Sequence, residues 1–241
     1  MIKAVIFDKD GTLVDLEQFW YPVARFATKK IFEEAGVPLS RIDDHVKRLG
    51  CHDEGMDIRG SLPRGDYSGM TDEIYKDMQE SGVKGDWNEA LRLMIKGYGR
   101  ESKLVGVVAP TTPLVREMLE SLRKRGILVA LITADEINGA EICLEKLGIR
   151  DLFDEIMAAD DKHPHKPDPY LMLDFMKRHS LSCDEVLMVG DTETDILFAK
   201  NAGVRSVGVG KIESNREYLS FVGATYTMPD VSGIPDYISS L

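Results

Sequence analysis

The chain has 241 residues, 43% of them apolar, which suits one large domain or two small ones with a proper core and is too apolar for disorder. Its formal net charge of −11 argues against a nucleic-acid partner, whose phosphates demand an excess of Lys and Arg. Three scattered cysteines (Cys51, Cys143, Cys183) with no CxxC pair read as free thiols of a reducing compartment. The apolar N-terminal run is too short for a signal peptide, and the longest apolar run, ILVALI at 127–132, is far short of the about 20 residues of a membrane span. The expectation is a cytoplasmic protein with no membrane partner.

The first predicted element is a strand, AVIF at 4–7, which runs straight into DKDGTLVD. From residue 16 to about 100 there is no second strand. Helical periodicity is found instead at 17–35, 41–49, 71–81 and 87–98, with a Gly-rich polar loop, GCHDEGMDIRGSLPRGDYSG, between the second and third. GRESKLVGVVAPTTP at 99–113 returns the chain to the core, and strand and helix then alternate. Buried-strand runs occur at ILVALI (127–132), EIMAA (155–159), VLMVG (186–190) and SVGVG (206–210). Between them LVREMLESLRKRG, GAEICLEKLG, PYLMLDFMKRH and DILFAKNAG carry apolar residues at helical spacing. This alternation predicts right-handed βαβ units and a parallel sheet: an α/β core from 1–15 and 101–241, with 16–100 as an inserted helical domain.

Ligands of open parallel sheets bind beyond the carboxyl ends of the strands. The residues just past successive strands are Asp8, Asp10 and Thr12, then Thr133, then Lys166 in the loop DDKHPHKPDP, then Asp191 and Asp195 in GDTETD. Carboxylates, a hydroxyl and an ammonium converge on one rim, which fits phosphoryl transfer. Mg²⁺ takes hard oxygen ligands, and Asp8 and Asp191 can supply side-chain oxygens while Asp10 offers its backbone carbonyl. A carboxylate can attack phosphorus and split hydrolysis into two easier steps. A second carboxyl two residues on can protonate the leaving alkoxide and then deprotonate water. Thr133 can donate to a phosphoryl oxygen, and Lys166 can neutralise charge that builds on the transferring group.

DKDGTLVD, LITAD, the HKPDP loop and GDTETD, in this order, resemble the four motifs of the haloacid dehalogenase superfamily. The closest flavour is its phosphoglycolate-phosphatase-like branch, with a helical cap inserted after the first motif. The resemblance covers about 1–15 and 101–223. It implies a Rossmann-like three-layer fold, Mg²⁺ and an aspartyl-phosphate mechanism. By motif it implies Asp8 as nucleophile, Asp10 as acid/base, Thr133 and Lys166 on the substrate phosphate, Asp8, Asp10 and Asp191 on the metal, and Asp195 behind them. Two positions depart from the pattern. Lys9 stands where an apolar residue is more usual, and Asp135 is an acid close to the phosphate pocket, pointing away or capping the next helix.

The resemblance implies a Mg²⁺-dependent phosphatase acting on a small phosphorylated metabolite, of phosphoglycolate or sugar-phosphate type. A phosphomutase and a catalytically silent module that binds a phosphorylated ligand are the alternatives. A dehalogenase would not need Asp10, and a phosphonate hydrolase would use a cap lysine instead of the second acid. The insertion is expected to form a mobile lid whose loop from Gly50 to Gly69, with Arg59 and Ser61, selects the substrate. Taken singly, each residue also has an ordinary reading: Asp8-Lys9-Asp10-Gly11 as a turn, Thr133 as a helix cap, Asp195 as a first-turn helix acid, and Lys166, His163 and His165 as solvated loop residues. His52-Asp53-Glu54 is a weak metal pattern of the same kind.

Overall fold

The computed structural model describes residues 1–52, 55–64, 66–102, 106–158 and 163–241. Asp53 and Glu54 lie outside them, as do parts of the 99–113 return, of the predicted strand run at 155–159 and of the loop before Lys166. By its internal contacts the chain divides into two compact units, Met1–Asp15 with Val108–Leu241, and Leu16–Val107. No helix among the described residues is long and apolar enough to cross a membrane.

In chain order the elements are β1 (Ala4–Phe7), α1 (Leu16–Ala35), α2 (Ile42–Arg48), β2 (Cys51–His52), β3 (Gly55–Met56), α3 (Tyr67–Glu80) and α4 (Asn88–Ser102). They continue with α5 (Val115–Lys124), β4 (Leu128–Thr133), α6 (Ile137–Lys146), β5 (Glu155–Ala158), α7 (Tyr170–Arg178) and β6 (Val186–Gly190). The last are α8 (Glu193–Asn201), β7 (Arg205–Val209), α9 (Glu213–Val222), β8 (Tyr226–Met228) and α10 (Ile234–Ser239).

The first unit is a six-stranded sheet in the order β5-β4-β1-β6-β7-β8, with every pairing parallel. The two-residue period of a strand sorts its core onto two faces. Val5, Phe7, Val129, Leu131, Leu187 and Val189 pack with Met118, Leu119 and Leu122 of α5 and Leu144 of α6. The alternate set, Ala4, Ile6, Ala130, Ile132, Val186 and Met188, packs with Met172 and Phe175 of α7 and Phe198 of α8. Both faces are covered, which is why these strands read as unbroken apolar runs. The result is the parallel α/β core that the alternation predicts, in the three-layer, Rossmann-like form that the family resemblance implies. From β1 the chain winds out through β4 to β5, then crosses to β6 on β1's other side and winds out to β8. The order reverses between β1 and β6, the switch point where such sheets bind ligands.

The second unit is helical, built on one core of Ile31, Phe32, Val46, Met70, Ile74, Met78 and Leu91, among others. β2 and β3 form a two-residue antiparallel pair inside the Gly-rich loop. The third helix starts at Tyr67, ahead of the predicted 71, because Asp66 caps it by accepting from the Gly69 N–H at 3.0 Å. Pro22 sits inside α1 and has no N–H to give Gln18. The Gln18 carbonyl accepts from the Val107 N–H at 3.2 Å instead, so it is not left unpaired. The predicted boundary at 100/101 falls within α4.

Candidate active site

Parallel register sets the site. Phe7 is level with Leu131 on one side and Val189 on the other, so the residues that come after β1, β4 and β6 emerge together. Asp8, Asp191 and Asp195 are 7%, 4% and 1% exposed, and each offers a carboxylate oxygen within 4.8 Å of the other two. They are the only such cluster of potential ligands among the described residues. The exposed pair His163 and His165 joins none; His163 stacks on Tyr170 at 5.2 Å.

Glycine permits the close approach. Gly11 has φ +83°, and a Cβ there would lie 2.0 Å from Asp191 Oδ2. Any other residue would both strain the turn and push Asp191 away. Thr12, fully buried, donates its hydroxyl to Asp191 Oδ1 at 2.9 Å and fixes that carboxylate's plane. Asp195 closes a capping box at the start of α8, its Oδ2 accepting from the Thr192 N–H at 3.1 Å and the Thr192 hydroxyl at 2.6 Å.

Against these three acids stands one ammonium. Lys166 Nζ donates to Asp8 Oδ1 at 2.5 Å, to Asp195 Oδ1 at 2.7 Å and to the Ile132 carbonyl at 3.1 Å. Three oxygens use its three protons. Burial pulls the Lys166 ammonium down, but Asp195 and Asp8 more than reverse this and hold it above its ordinary value. Burial pushes Asp8 up to about 7 against the pull of Lys166, with Asp195 adding repulsion. Asp191 is raised well above the carboxylate range by burial first and then by Asp8 and Asp195. The cluster is short of positive charge. A small hard cation with all-oxygen coordination fits that donor set, and Mg²⁺ is such a cation.

The structure also places the remaining predicted residues. Thr133 ends β4, 3% exposed; its Oγ1 accepts from the Asp135 N–H at 3.1 Å, which leaves its own proton to donate. Asp10 turns its carboxylate to Lys9, whose Nζ donates to Oδ1 at 2.7 Å. Asp135 lies ahead of α6 with Oδ1 accepting from the Glu136 N–H at 2.9 Å and Oδ2 at 3.3 Å from Lys9 Nζ. Arg59 belongs to the helical unit, where its guanidinium forks onto Asp57, Nε to Oδ1 at 2.8 Å and NH2 to Oδ2 at 2.9 Å. Sequence reasoning assigned Thr12 and Thr192 no role. Thr192 carries a signal that could have found it, the Thr-x-x-Asp spacing to Asp195; Thr12 carries none.

With this geometry in hand, likenesses to known proteins become interpretable. A family profile for haloacid dehalogenase-like hydrolases matches residues 2–203. The phosphoglycolate phosphatase of Vibrio parahaemolyticus is 28% identical over 241 residues, covering 99% of this chain and 96% of its own. Among solved structures, a Haemophilus somnus protein assigned by sequence as a phosphoglycolate phosphatase superposes with a TM-score of 0.70 at 21% identity, over 98% of both chains. A Thermotoga maritima protein with a provisional β-phosphoglucomutase name superposes with a TM-score of 0.69 at 23% identity, over 100% of both. The order of strands, the acids at their ends and the profile spanning most of the sequence agree: the chain belongs to the haloacid dehalogenase-like hydrolases, in their phosphoglycolate-phosphatase-like branch.

Proposed function

We propose that the protein is a Mg²⁺-dependent phosphatase that hydrolyses a small phosphomonoester, phosphoglycolate or a sugar phosphate, through an aspartyl-phosphate on Asp8. The observation that carries this reading is the imbalance at the switch point, where three buried carboxylates face one ammonium. Leaving them so costs free energy unless a cation and a phosphate belong there. The likeness to the Vibrio phosphatase along nearly the whole chain supports the same substrate class.

Asp8, Asp191 and the Asp10 backbone carbonyl would hold Mg²⁺, whose charge, when bound, draws electrons from the phosphoryl group and offsets the negative charge of the acids. Asp8 attacks phosphorus; the P–O ester bond breaks as the Asp8–phosphorus bond forms, and Asp10 gives its proton to the leaving oxygen. In the second step Asp10 takes a proton from water while the water oxygen attacks phosphorus. The bond to Asp8 then breaks, and inorganic phosphate and the free carboxylate result. Lys166, already against Asp8, is within reach of oxygens on a phosphoryl group attached there, and the Thr133 hydroxyl has a proton free to donate. Asp195 acts through Lys166, which it orients from behind.

A phosphomutase is the second reading, favoured by the full-length fold likeness to the Thermotoga protein. The two part at the second step, where the phosphoryl group goes to water or to another hydroxyl. The test is a panel of phosphorylated metabolites with Mg²⁺, assayed both for released phosphate and for isomerised ester. Phosphate release abolished by chelator and by Asp8→Asn is the expected result. Isomerisation without release would make it a mutase, and neither would make it a binding module.

A further inference from the structure

Lys9 has no part in the steps above, yet its side chain is only 3% exposed, far more buried than those of its acid partners Asp10 and Asp135, at 28% and 23%. An ammonium resists burial unless its charge is matched. Here Nζ contacts Asp10 Oδ1 at 2.7 Å, Asp135 Oδ2 at 3.3 Å and Cys143 Sγ at 4.0 Å. Asp135 is itself fastened to the loop after β4 through Thr133 and Glu136. One ammonium therefore ties the turn after β1 to the turn after β4. The two departures from the family pattern, a lysine and an acid, are each other's ion partner.

The consequence falls on Asp10. Its carboxylate is 28% exposed, and Lys9 is its side-chain partner among the described residues. A carboxyl so placed could otherwise turn freely about its last bond. With an ammonium against Oδ1, the protonated form carries its proton on Oδ2, because Oδ1 must accept. We infer that Lys9, braced by Asp135, is a positioning residue for the reaction: it holds the Asp10 carboxyl in one orientation and leaves Oδ2 as the oxygen that exchanges the proton with the leaving group and then with water. This rests on the phosphatase reading. A shift of about 1 Å in a reacting group is enough to cost about 100-fold, so the orientation is worth defending with a buried ion pair.

The experiment compares Lys9→Met, Lys9→Arg and Asp135→Asn with the unmodified chain on two substrates. One is an alkyl phosphate, whose leaving oxygen needs a proton; the other is p-nitrophenyl phosphate, whose leaving group does not. The first step is read in rapid mixing as the burst of leaving group, and folding is checked by circular dichroism. Lys9→Met should slow the alkyl burst by about 30- to 100-fold and the nitrophenyl burst by less than about 3-fold. Lys9→Arg should recover part of the loss. Asp135→Asn, nearly isosteric and partly exposed, should repeat the split more weakly, and it carries the test if Lys9→Met does not fold. In an Asp10→Asn background Lys9→Met should add nothing further. Equal slowing of both substrates, or additivity with Asp10→Asn, would make Lys9 a folding residue, and no slowing of either would overturn the inference. Wild-type chain that releases neither leaving group would overturn the phosphatase reading, and this inference with it.

Discussion

The two units each bury a carboxylate among charged neighbours, and they do it in opposite ways. In the helical unit Asp77, with its side chain wholly inaccessible, accepts from Arg41 Nε at 3.0 Å and from Arg48, and pairs with His45 Nδ1 at 2.6 Å. Arg48 continues to Glu73 at 2.6 Å and Arg41 to Glu80. Burial would raise Asp77, but His45, Arg41 and Arg48 outweigh it and bring it down to about 2. At the sheet, Asp8 has one ammonium shared with Asp195 and is pushed up to about 7. Asp77 is met by three donors of its own unit, whereas Asp8 shares its one ammonium with a second acid, a deficit that the proposed metal and phosphate would fill.

That contrast can be broken by substitution. The largest effect should come from Asp8→Asn, which is nearly isosteric but has no carboxylate to attack phosphorus: turnover should fall by about 10⁴-fold or more while the circular dichroism spectrum stays unchanged. Near-normal turnover would remove the covalent step. Asp77→Asn should leave turnover at low temperature intact and cost about 2–4 kcal/mol in chemical denaturation, because it removes the buried carboxylate on which Arg41, Arg48 and His45 converge. A loss below about 0.5 kcal/mol would show that the cluster contributes little.

Asp191→Asn should do the reverse of Asp77→Asn. In chelator it removes a surplus buried charge and should raise the melting temperature by about 2–6 °C, worth about 1–2 kcal/mol. Mg²⁺ at about 100 times its dissociation constant should stabilise the wild type by about 2.7 kcal/mol and Asp191→Asn far less. A destabilised Asp191→Asn would mean that its bond with Thr12 outweighs the repulsion.

The pH dependence sharpens the same point. Asp8 is raised on folding, so between about 4 and 7 the folded chelated chain holds a proton that the unfolded chain has lost; its contribution to stability declines as pH rises through that window. Asp77 is lowered, so its contribution is present above about 4 and is lost as pH falls toward 2. Denaturation midpoints across pH, in chelator, should show the first slope flattened by added Mg²⁺ and the second abolished by Asp77→Asn. The smallest effect should be that of Arg59→Ala on stability, under about 1 kcal/mol, since its pair with Asp57 is exposed. Its kcat/KM for the preferred metabolite should fall more than that for an aryl phosphate if the loop selects substrate.

Legibility in the sequence obeys the same physics. β1, β4 and β6 are buried on both faces and announce themselves as apolar runs, so the residues at or just past their ends, Asp8, Thr133 and Asp191, were legible as a rim. β8 was missed because it is three residues at a sheet edge, with Tyr226 half exposed and no run to see. The pairing of Cys51–His52 with Gly55–Met56 is too short to leave a period. Lys166 was legible by its place in a motif, not by any property of its own. Partnerships were not legible at all. Thr12 finds Asp191 at a separation of 179 residues, and the pairing of Lys9 with Asp135 likewise has no trace in linear order. Two oddities of pattern turned out to be one structural fact.

Strand order also has a consequence for how the molecule comes into being. β1 carries Asp8 at its end, yet its neighbours arrive late, with Ala4 facing Leu128 on one side and Val186 on the other. The core of the helical unit, by contrast, draws its buried residues only from 24–95. A chain emerging from the ribosome therefore has the partners for its helical part while β1 still waits, both edges unmatched, for strands not yet made. The turn bearing Asp8 meets Asp191 only after more than three quarters of the sequence has been translated, so on the proposed mechanism phosphate chemistry would wait for a nearly finished chain. The brevity of β1, four residues, keeps that waiting edge a poor template for pairing with other chains.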